Sequence, residues 1–214
     1  MAIPKIFVSS TCYDLKEIRD NLYEFIKSIG FSPVFSDKND VFYHPDLHTH
    51  DACIKEIESC QLFILIIGGR FGGNYKSDKK KSIVNAEYLT AKELNIPMIT
   101  FVKKDVNSNH LTYQMNKKNE IENKIQYPAI SKQDDAPNIF EFINDVRLSD
   151  LNNAIFEFEF TRDITEIIKK QYAGMFYDFL WERKNNQEQK KTTQLLSNLT
   201  EISEKTEEII KNIY

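Results

Sequence analysis

The glycine-rich hexapeptide GGRFGG at positions 68–73 is the first candidate for chemistry, because it holds four of the six glycines of the chain. Glycine permits left-handed backbone conformations and close approach of a ligand, and the Arg70 guanidinium is a forked donor suited to phosphate or carboxylate. The hexapeptide fits neither the dinucleotide-binding motif nor the P-loop motif. Two interpretations stay open: a structural loop, or a substrate-binding loop that uses Gly68, Gly69, Arg70 and Phe71.

Glu87 is the second candidate, because its position predicts a buried carboxylate. If Ser82 caps a helix that continues to about Asn95, Glu87 lies in the second turn and on the face directed toward the sheet. Four apolar residues share that face: Val84, Tyr88, Ala91 and Leu94. Burial would raise the pKa of Glu87 and suit it to catalysis. A buried structural ion pair is an equally open interpretation.

The first strand ends in three hydroxyl residues, Ser9, Ser10 and Thr11. They leave the carboxyl end of a strand, where doubly wound sheets bind ligands, and they offer hydroxyls and backbone donors to a phosphate or a ribose. Asp14 and Arg19 follow on the next helix. They have simpler interpretations, a helix cap for Asp14 and an ion-pair partner for Arg19.

Three histidines, His44, His48 and His50, lie near Asp46 and Asp51 in a polar segment. Their H-x3-H-x-H spacing does not match the usual tetrahedral metal sites. We therefore predict a mobile loop over the site and no metal.

The elements that position these residues alternate between strand and helix. Strands are predicted at 5–9, 32–35, 62–67 and 97–102, and helices at 14–29, 51–60 and 82–95. The segment LFILII at 62–67 is uniformly apolar, as in a strand covered on both faces. The alternation of residues 154–160 predicts an edge strand, followed by a helix at 162–181. The pattern predicts an α/β fold with a doubly wound, mainly parallel, flavodoxin-like sheet of five strands.

Residues 107–150 give a weaker signal. Helices are predicted near 111–123 and 139–146, with loops around Pro128 and Pro137.

The C-terminal residues differ from the rest. We predict an α/β domain at 1–182, then a charged linker and a helical tail at 183–214. Six tail residues recur with a period of about 3.5: Leu195, Leu199, Ile202, Thr206, Ile209 and Ile213. That period is typical of a coiled coil. The tail is expected to pack on its own domain, or to form the seam of a homo-oligomer, or to bind a partner helix.

Composition narrows the classes of partner. A net charge of −4 and a pI of about 5.7 give no general attraction to nucleic acid or membrane. The three cysteines, Cys12, Cys53 and Cys60, lack C-x-x-C spacing and are expected to be reduced. No signal peptide or membrane span is recognised, so a cytoplasmic location is expected.

Three segments together resemble a family of uncharacterised bacterial TIR-like domains, which belongs with TIR domains and nucleoside deoxyribosyltransferases. They are KIFVSSTCYDLKEIRD, CIKEIESCQLFILIIGGRFGG and SIVNAEYLTAKELNIPMITFV. The resemblance implies that Glu87 is the glutamate that acts at an N-glycosidic bond. The sequence departs from TIR domains at Val84-Asn85-Ala86, where a Trp-Cys pair often precedes that glutamate.

The resemblance implies an NAD glycohydrolase or ADP-ribose cyclase, with NAD as substrate rather than cofactor, in bacterial antiphage defence. Ser9, Ser10 and Arg70 would hold phosphate or ribose, and Phe71 or Tyr75 would line the pocket. The other predicted substrate-binding residues are Thr11, Gly68, Gly69 and Ser82. Oligomers through the tail and the TIR-like domain, and an effector or sensor protein, are the implied partners. The alternatives are a nucleoside or nucleotide N-glycosidase, or a deoxyribosyltransferase-like enzyme, and a non-catalytic nucleotide-binding or oligomerisation adaptor.

Overall fold

The computed structural model describes residues 3–76 and 81–211, with side chains throughout that range except at residue 123 and residues 201–211. Five strands are present: β1 (Lys5–Ser10), β2 (Ser32–Val34), β3 (Leu62–Ile67), β4 (Met98–Lys103) and β5 (Ile155–Phe158). Six α-helices accompany them: α1 (Lys16–Ser28), α2 (Thr49–Ile57), α3 (Ile83–Glu93), α4 (Lys104–Lys117), α5 (Ala136–Arg147) and α6 (Thr161–Lys211).

All five strands form one parallel sheet in the order β2-β1-β3-β4-β5. This is the flavodoxin-like order of a doubly wound sheet, and it confirms the predicted fold class. The chain leaves β1 toward β2 on one side and enters β3 on the other. The switch point of the topology therefore lies between the carboxyl ends of β1 and β3, where Ser10 pairs with Ile66.

The centre of the sheet is mainly apolar because both of its faces are covered. Residues 63–67 of β3 are all buried, as are residues 98–102 of β4. Burial of successive residues requires cover on both sides, since neighbouring side chains of a strand point to opposite faces. β5 occupies the predicted edge and leaves Glu157 exposed.

Two helices differ most from their predicted limits. α4 begins at Lys104, directly after β4, instead of near Leu111. α6 continues without a break through residues 183–191, where a linker was predicted. That segment contains only residues that helices tolerate, most of them Arg, Lys, Glu and Gln, and no glycine or proline ends the helix there.

The chain divides into two compact units, Met1–Glu166 and Ile167–Tyr214. The first contains the sheet and helices α1–α5. The second is helical, and the predicted boundary at residue 182 remains a prediction. In the part of the chain that the structure describes, no helix combines the length and the apolar composition needed to cross a bilayer.

Candidate active site

Helix α3 delivers Glu87 to the interior because its first turn is fixed. The Ser82 hydroxyl accepts a hydrogen bond from the Asn85 backbone N–H at 3.2 Å, and the Asn85 side-chain oxygen accepts one from the Ser82 N–H at 3.3 Å. This reciprocal cap sets the rotation of the helix. Glu87 is 4% exposed and shares its face with buried Tyr88 and Ala91.

Leu94 was predicted on the same buried face, and this was wrong. It is 45% exposed because α3 ends at Glu93. Asn95 then adopts a left-handed conformation, with φ of 54°, and turns the chain toward β4.

The Glu87 carboxylate has one hydrogen bond among the described residues. The Ser9 hydroxyl donates to Glu87 Oε2 at 2.5 Å. No Lys, Arg or His whose side chain the structure describes forms an ion pair with Glu87. The second carboxylate oxygen, Oε1, therefore remains free to accept a hydrogen bond from a ligand. The geometry does not support the structural ion pair that the sequence left open.

Burial raises the pKa of Glu87 to about 7, although the hydrogen bond from Ser9 and the positive charge of Arg19 act in the opposite direction. Desolvation dominates because a buried carboxylate loses its hydration and gains only one neutral donor. Both protonation states of Glu87 are thus accessible near neutral pH.

A cavity of about 500 Å³ opens beside Glu87 at the switch point of the sheet. Its wall combines the β1–α1 turn, the segment after β2, helix α2, the glycine-rich loop, the start of α3 and the segment before α5. Most of its side chains are polar or aromatic, and they include Thr11, Tyr13, Asp37, Tyr43, His50, Cys53, Arg70, Phe71 and Lys132. The site has the position at which doubly wound sheets bind ligands.

A buried arginine organises the wall next to Glu87. Arg19 is 1% exposed, and its guanidinium donates to the Ser10 hydroxyl at 2.6 Å and to Asp37 through Nε at 3.2 Å and through a second, shorter bond. Burial alone would raise the pKa of Asp37, but the hydrogen bonds and charge of Arg19 outweigh it and lower that pKa. Arg19 is the ion-pair partner that the sequence suggested, and it holds Ser10 and Asp37 in place.

Residues 5–173 match the model of a protein family described as a domain of unknown function, DUF4062. The chain belongs to the DUF4062 family. No curated protein sequence matches it. The DUF4062 family assignment covers the whole sheet and every residue of the cavity.

The solved structures that are similar to this DUF4062 protein include the following two. A CMP N-glycosidase from Clostridium botulinum is 12% identical, with a TM-score of 0.41 over 78% of this chain and 98% of that chain. The TIR domains of the activated Roq1 resistosome, which recognises the pathogen effector XopQ, are 11% identical, with a TM-score of 0.47 over 79% of this chain and 99% of that chain. At such identities the similarity concerns the fold.

The cavity brings together five of the residues predicted from sequence. Its wall includes Ser10, Thr11, Arg70, Phe71 and Glu87. Ser9 lies behind the wall and bonds to Glu87.

The other predicted residues have supporting positions. Gly68 packs against Asp14 and Leu15, and Gly69 against the Ala129 carbonyl. Ser82 caps α3. Tyr75 stacks on His50, with ring centroids 6.0 Å apart, and does not line the main cavity. Their roles as substrate-binding residues remain predictions.

The histidine segment is partly helical. His48 is the N-cap of α2, and its Nδ1 accepts from the His50 backbone N–H at 3.2 Å. Within the described residues, no group of three His, Cys, Asp or Glu side chains is arranged to hold a metal ion. His50 contributes to the cavity wall instead.

Sequence reasoning missed several residues of the wall: Tyr13, Asp37, Tyr43, Cys53, Lys132 and Asp135. Asp37 follows the carboxyl end of β2, so the rule that locates ligands at strand ends gave a signal for it. No such signal was present for Lys132, because the polar segment between α4 and α5 has no periodicity that would place this lysine near β3.

Proposed function

We propose that this DUF4062 protein is an enzyme that cleaves an N-glycosidic bond, with NAD as its substrate. The observation that carries the proposal is Glu87, a buried carboxylate that lines a cavity of about 500 Å³ and has one oxygen without a hydrogen bond among the described residues. A carboxylate in such a place is costly to the fold and is typical of a functional group. The resemblance of the surrounding sequence to TIR-like domains supplies the choice of NAD.

In this mechanism the bond between ribose C1′ and the nicotinamide nitrogen breaks, and its electron pair goes to nicotinamide. The positive charge that develops on the ribose is stabilised by ionised Glu87, either through a hydrogen bond from a ribose hydroxyl to Oε1 or by attack of Oε1 on C1′. Water then adds its oxygen to C1′ and releases a proton to the solvent. Where Oε1 has bonded to C1′, this addition breaks the C1′–Oε1 bond, and its electron pair returns to the Glu87 carboxylate. Ser9 holds Oε2, so the free oxygen keeps one orientation throughout.

A second candidate is hydrolysis of a nucleotide that carries a neutral base. Such a base is a poor leaving group unless it is protonated as the bond breaks. A carboxyl group whose pKa is about 7 holds a proton for much of the time at neutral pH, and this favours a general-acid role for Glu87. Nicotinamide in NAD needs no such proton because it leaves from a cationic ring.

One incubation separates these functions. Concentrated protein is mixed with NAD, nucleoside monophosphates and nucleosides, and the products are resolved by chromatography and mass spectrometry. We expect free nicotinamide together with linear or cyclic ADP-ribose. Release of a base from a nucleotide without loss of NAD would favour the second candidate. Tight nucleotide binding without any turnover would contradict both and indicate a non-catalytic adaptor.

A further inference from the structure

Two cations of the cavity wall have no acidic partner. Arg70 and Lys132 both line the cavity, and no described carboxylate lies within ion-pair distance of either side chain. Asp37, by contrast, is paired with Arg19. The wall therefore contains unpaired positive charge away from that pair.

The segment that carries Lys132 is fixed, although it contains no long helix or strand. The Gln133 side chain donates to the carbonyl oxygens of Tyr127 and Ile130, both at 3.0 Å, and accepts from the Tyr127 N–H at 2.6 Å. Tyr127 and Ile130 are each 3% exposed and join the apolar core. These bonds and the buried side chains hold the Lys132 backbone in one position.

This segment is also joined to the glycine-rich loop. The Ser131 N–H donates to the Gly69 carbonyl at 2.9 Å, and a Cβ at Gly69 would overlap the Ala129 carbonyl oxygen. Arg70 follows Gly69 and Lys132 follows Ser131, so each cation is one residue from the hydrogen bond that joins the two segments. The absence of a side chain at Gly69 thus brings the two cations to one part of the wall.

Asp135 also lines the cavity, and its charge must be considered. It is the residue at the N-cap of α5, where the partial positive charge of the helix end partly offsets a carboxylate. In this region the two cations, Arg70 and Lys132, therefore lie near one acid, Asp135, whose negative charge the helix end partly offsets.

We propose that Arg70 and Lys132 form an anion subsite that binds a phosphate of the substrate, so that the enzyme selects nucleotides over nucleosides. The Arg70 guanidinium can bond two phosphate oxygens at once, and the Lys132 ammonium adds a compact charge. This inference rests on the proposed function in one respect: the substrate whose phosphate binds here is the one whose glycosidic bond lies in the same cavity.

The test uses binding, so that it does not require turnover. In the Glu87→Gln background, calorimetry compares nicotinamide mononucleotide with nicotinamide riboside, which differ by one phosphate. We expect Lys132→Ala to weaken mononucleotide binding by roughly tenfold, the usual value of a charge-assisted hydrogen bond, and to leave riboside binding unchanged. Lys118→Ala, an exposed lysine outside the cavity, is the matched control and is expected to change neither.

The inference would be overturned if Lys132→Ala lost the same affinity for the mononucleotide and the riboside, or lost affinity for neither. Pyrophosphate titrated alone separates this result from failure of the proposed function. If pyrophosphate binding depends on Lys132 while no glycosidic bond is cleaved, the anion subsite stands and the proposed function fails. If the protein cleaves the riboside and the mononucleotide with the same kcat/KM, the function stands and the subsite fails.

Discussion

A carboxylate that loses its hydration in the folded state makes stability depend on pH. The pKa of Glu87 rises from an ordinary value of 4.5 to about 7 in the fold because of its burial. At a pH between these two pKa values, Glu87 holds a proton in the folded protein and has released it in the unfolded chain. The free energy of unfolding therefore decreases as the pH rises from 4.5 to about 7, and the full loss is present above that range.

We predict that Glu87→Gln is more stable than the wild type above about pH 7, by at most about 3 kcal/mol. The amide carries no charge to desolvate, so the advantage should vanish below about pH 4.5, where Glu87 is protonated in both states. Chemical denaturation at about pH 4 and about pH 8 measures the difference.

Glu93→Gln is the matched control for this comparison, because Glu93 is an exposed glutamate of the same helix. It should change stability little at either pH. An equal stability of Glu87→Gln and wild type at about pH 8 would show that the Glu87 side chain is solvated.

The glycine-rich loop packs closely on the segment before α5, because Gly69 has no side chain. Gly69→Ala should displace the segment that carries Lys132, because the added methyl group meets the Ala129 carbonyl oxygen. We predict a loss of about 1–3 kcal/mol in the free energy of unfolding.

Gly73→Ala is its control, since a Cβ there meets no atom within 4 Å and the residue is outside the left-handed region. It should change stability by no more than about 0.5 kcal/mol. If the unfolding curves of Gly69→Ala and Gly73→Ala coincide, the contact between Gly69 and Ala129 does not constrain the segment.

The central strands could be predicted from sequence because burial on both faces selects mainly apolar residues. The predicted limits of β3 are confirmed, and those of β1, β2 and β4 differ by about one residue. Glu87 could be placed near the glycine-rich loop because both belong to one strand–helix unit.

Helix α4 could not be predicted in the same way, because its buried face is partly polar. Asn107 and His110 are buried there. Asn107 accepts from Arg147 at 2.7 Å, and His110 Nε2 lies 2.8 Å from the Asn144 side-chain oxygen. Polar residues that bond to partners far along the chain show no apolar periodicity. The position of Lys132 also depends on a contact distant in sequence, the hydrogen bond from the Ser131 N–H to the Gly69 carbonyl.

At the scale of the whole molecule, the C-terminal unit contributes exposed apolar side chains on a continuous helix. Leu195 and Leu199, two members of the predicted coiled-coil repeat, are 63% and 62% exposed. The side chains of Ile202, Thr206 and Ile209 lie outside the described part, as does Ile213 entirely. An apolar stripe on a long helix is favourable only when it is covered, and a second copy of the chain is the partner that we propose.

We predict that deletion of residues 192–214 lowers the molar mass measured by light scattering, because the seam between copies is removed. Leu199→Asp should have the same effect. Leu196→Asp, which changes an equally exposed leucine outside the repeat, should leave the mass unchanged. A deletion variant whose molar mass corresponds to the wild-type number of subunits would contradict assembly through the tail.

The proposed cleavage of NAD depends on Glu87 acting at the glycosidic bond. The most direct measurement is nicotinamide release from NAD by the wild type, by Glu87→Gln and by Glu93→Gln, with folding of each checked by thermal unfolding. We predict that Glu87→Gln loses activity by about 10²- to 10³-fold, while Glu93→Gln keeps it. Nicotinamide release by folded Glu87→Gln at the wild-type rate would contradict the account.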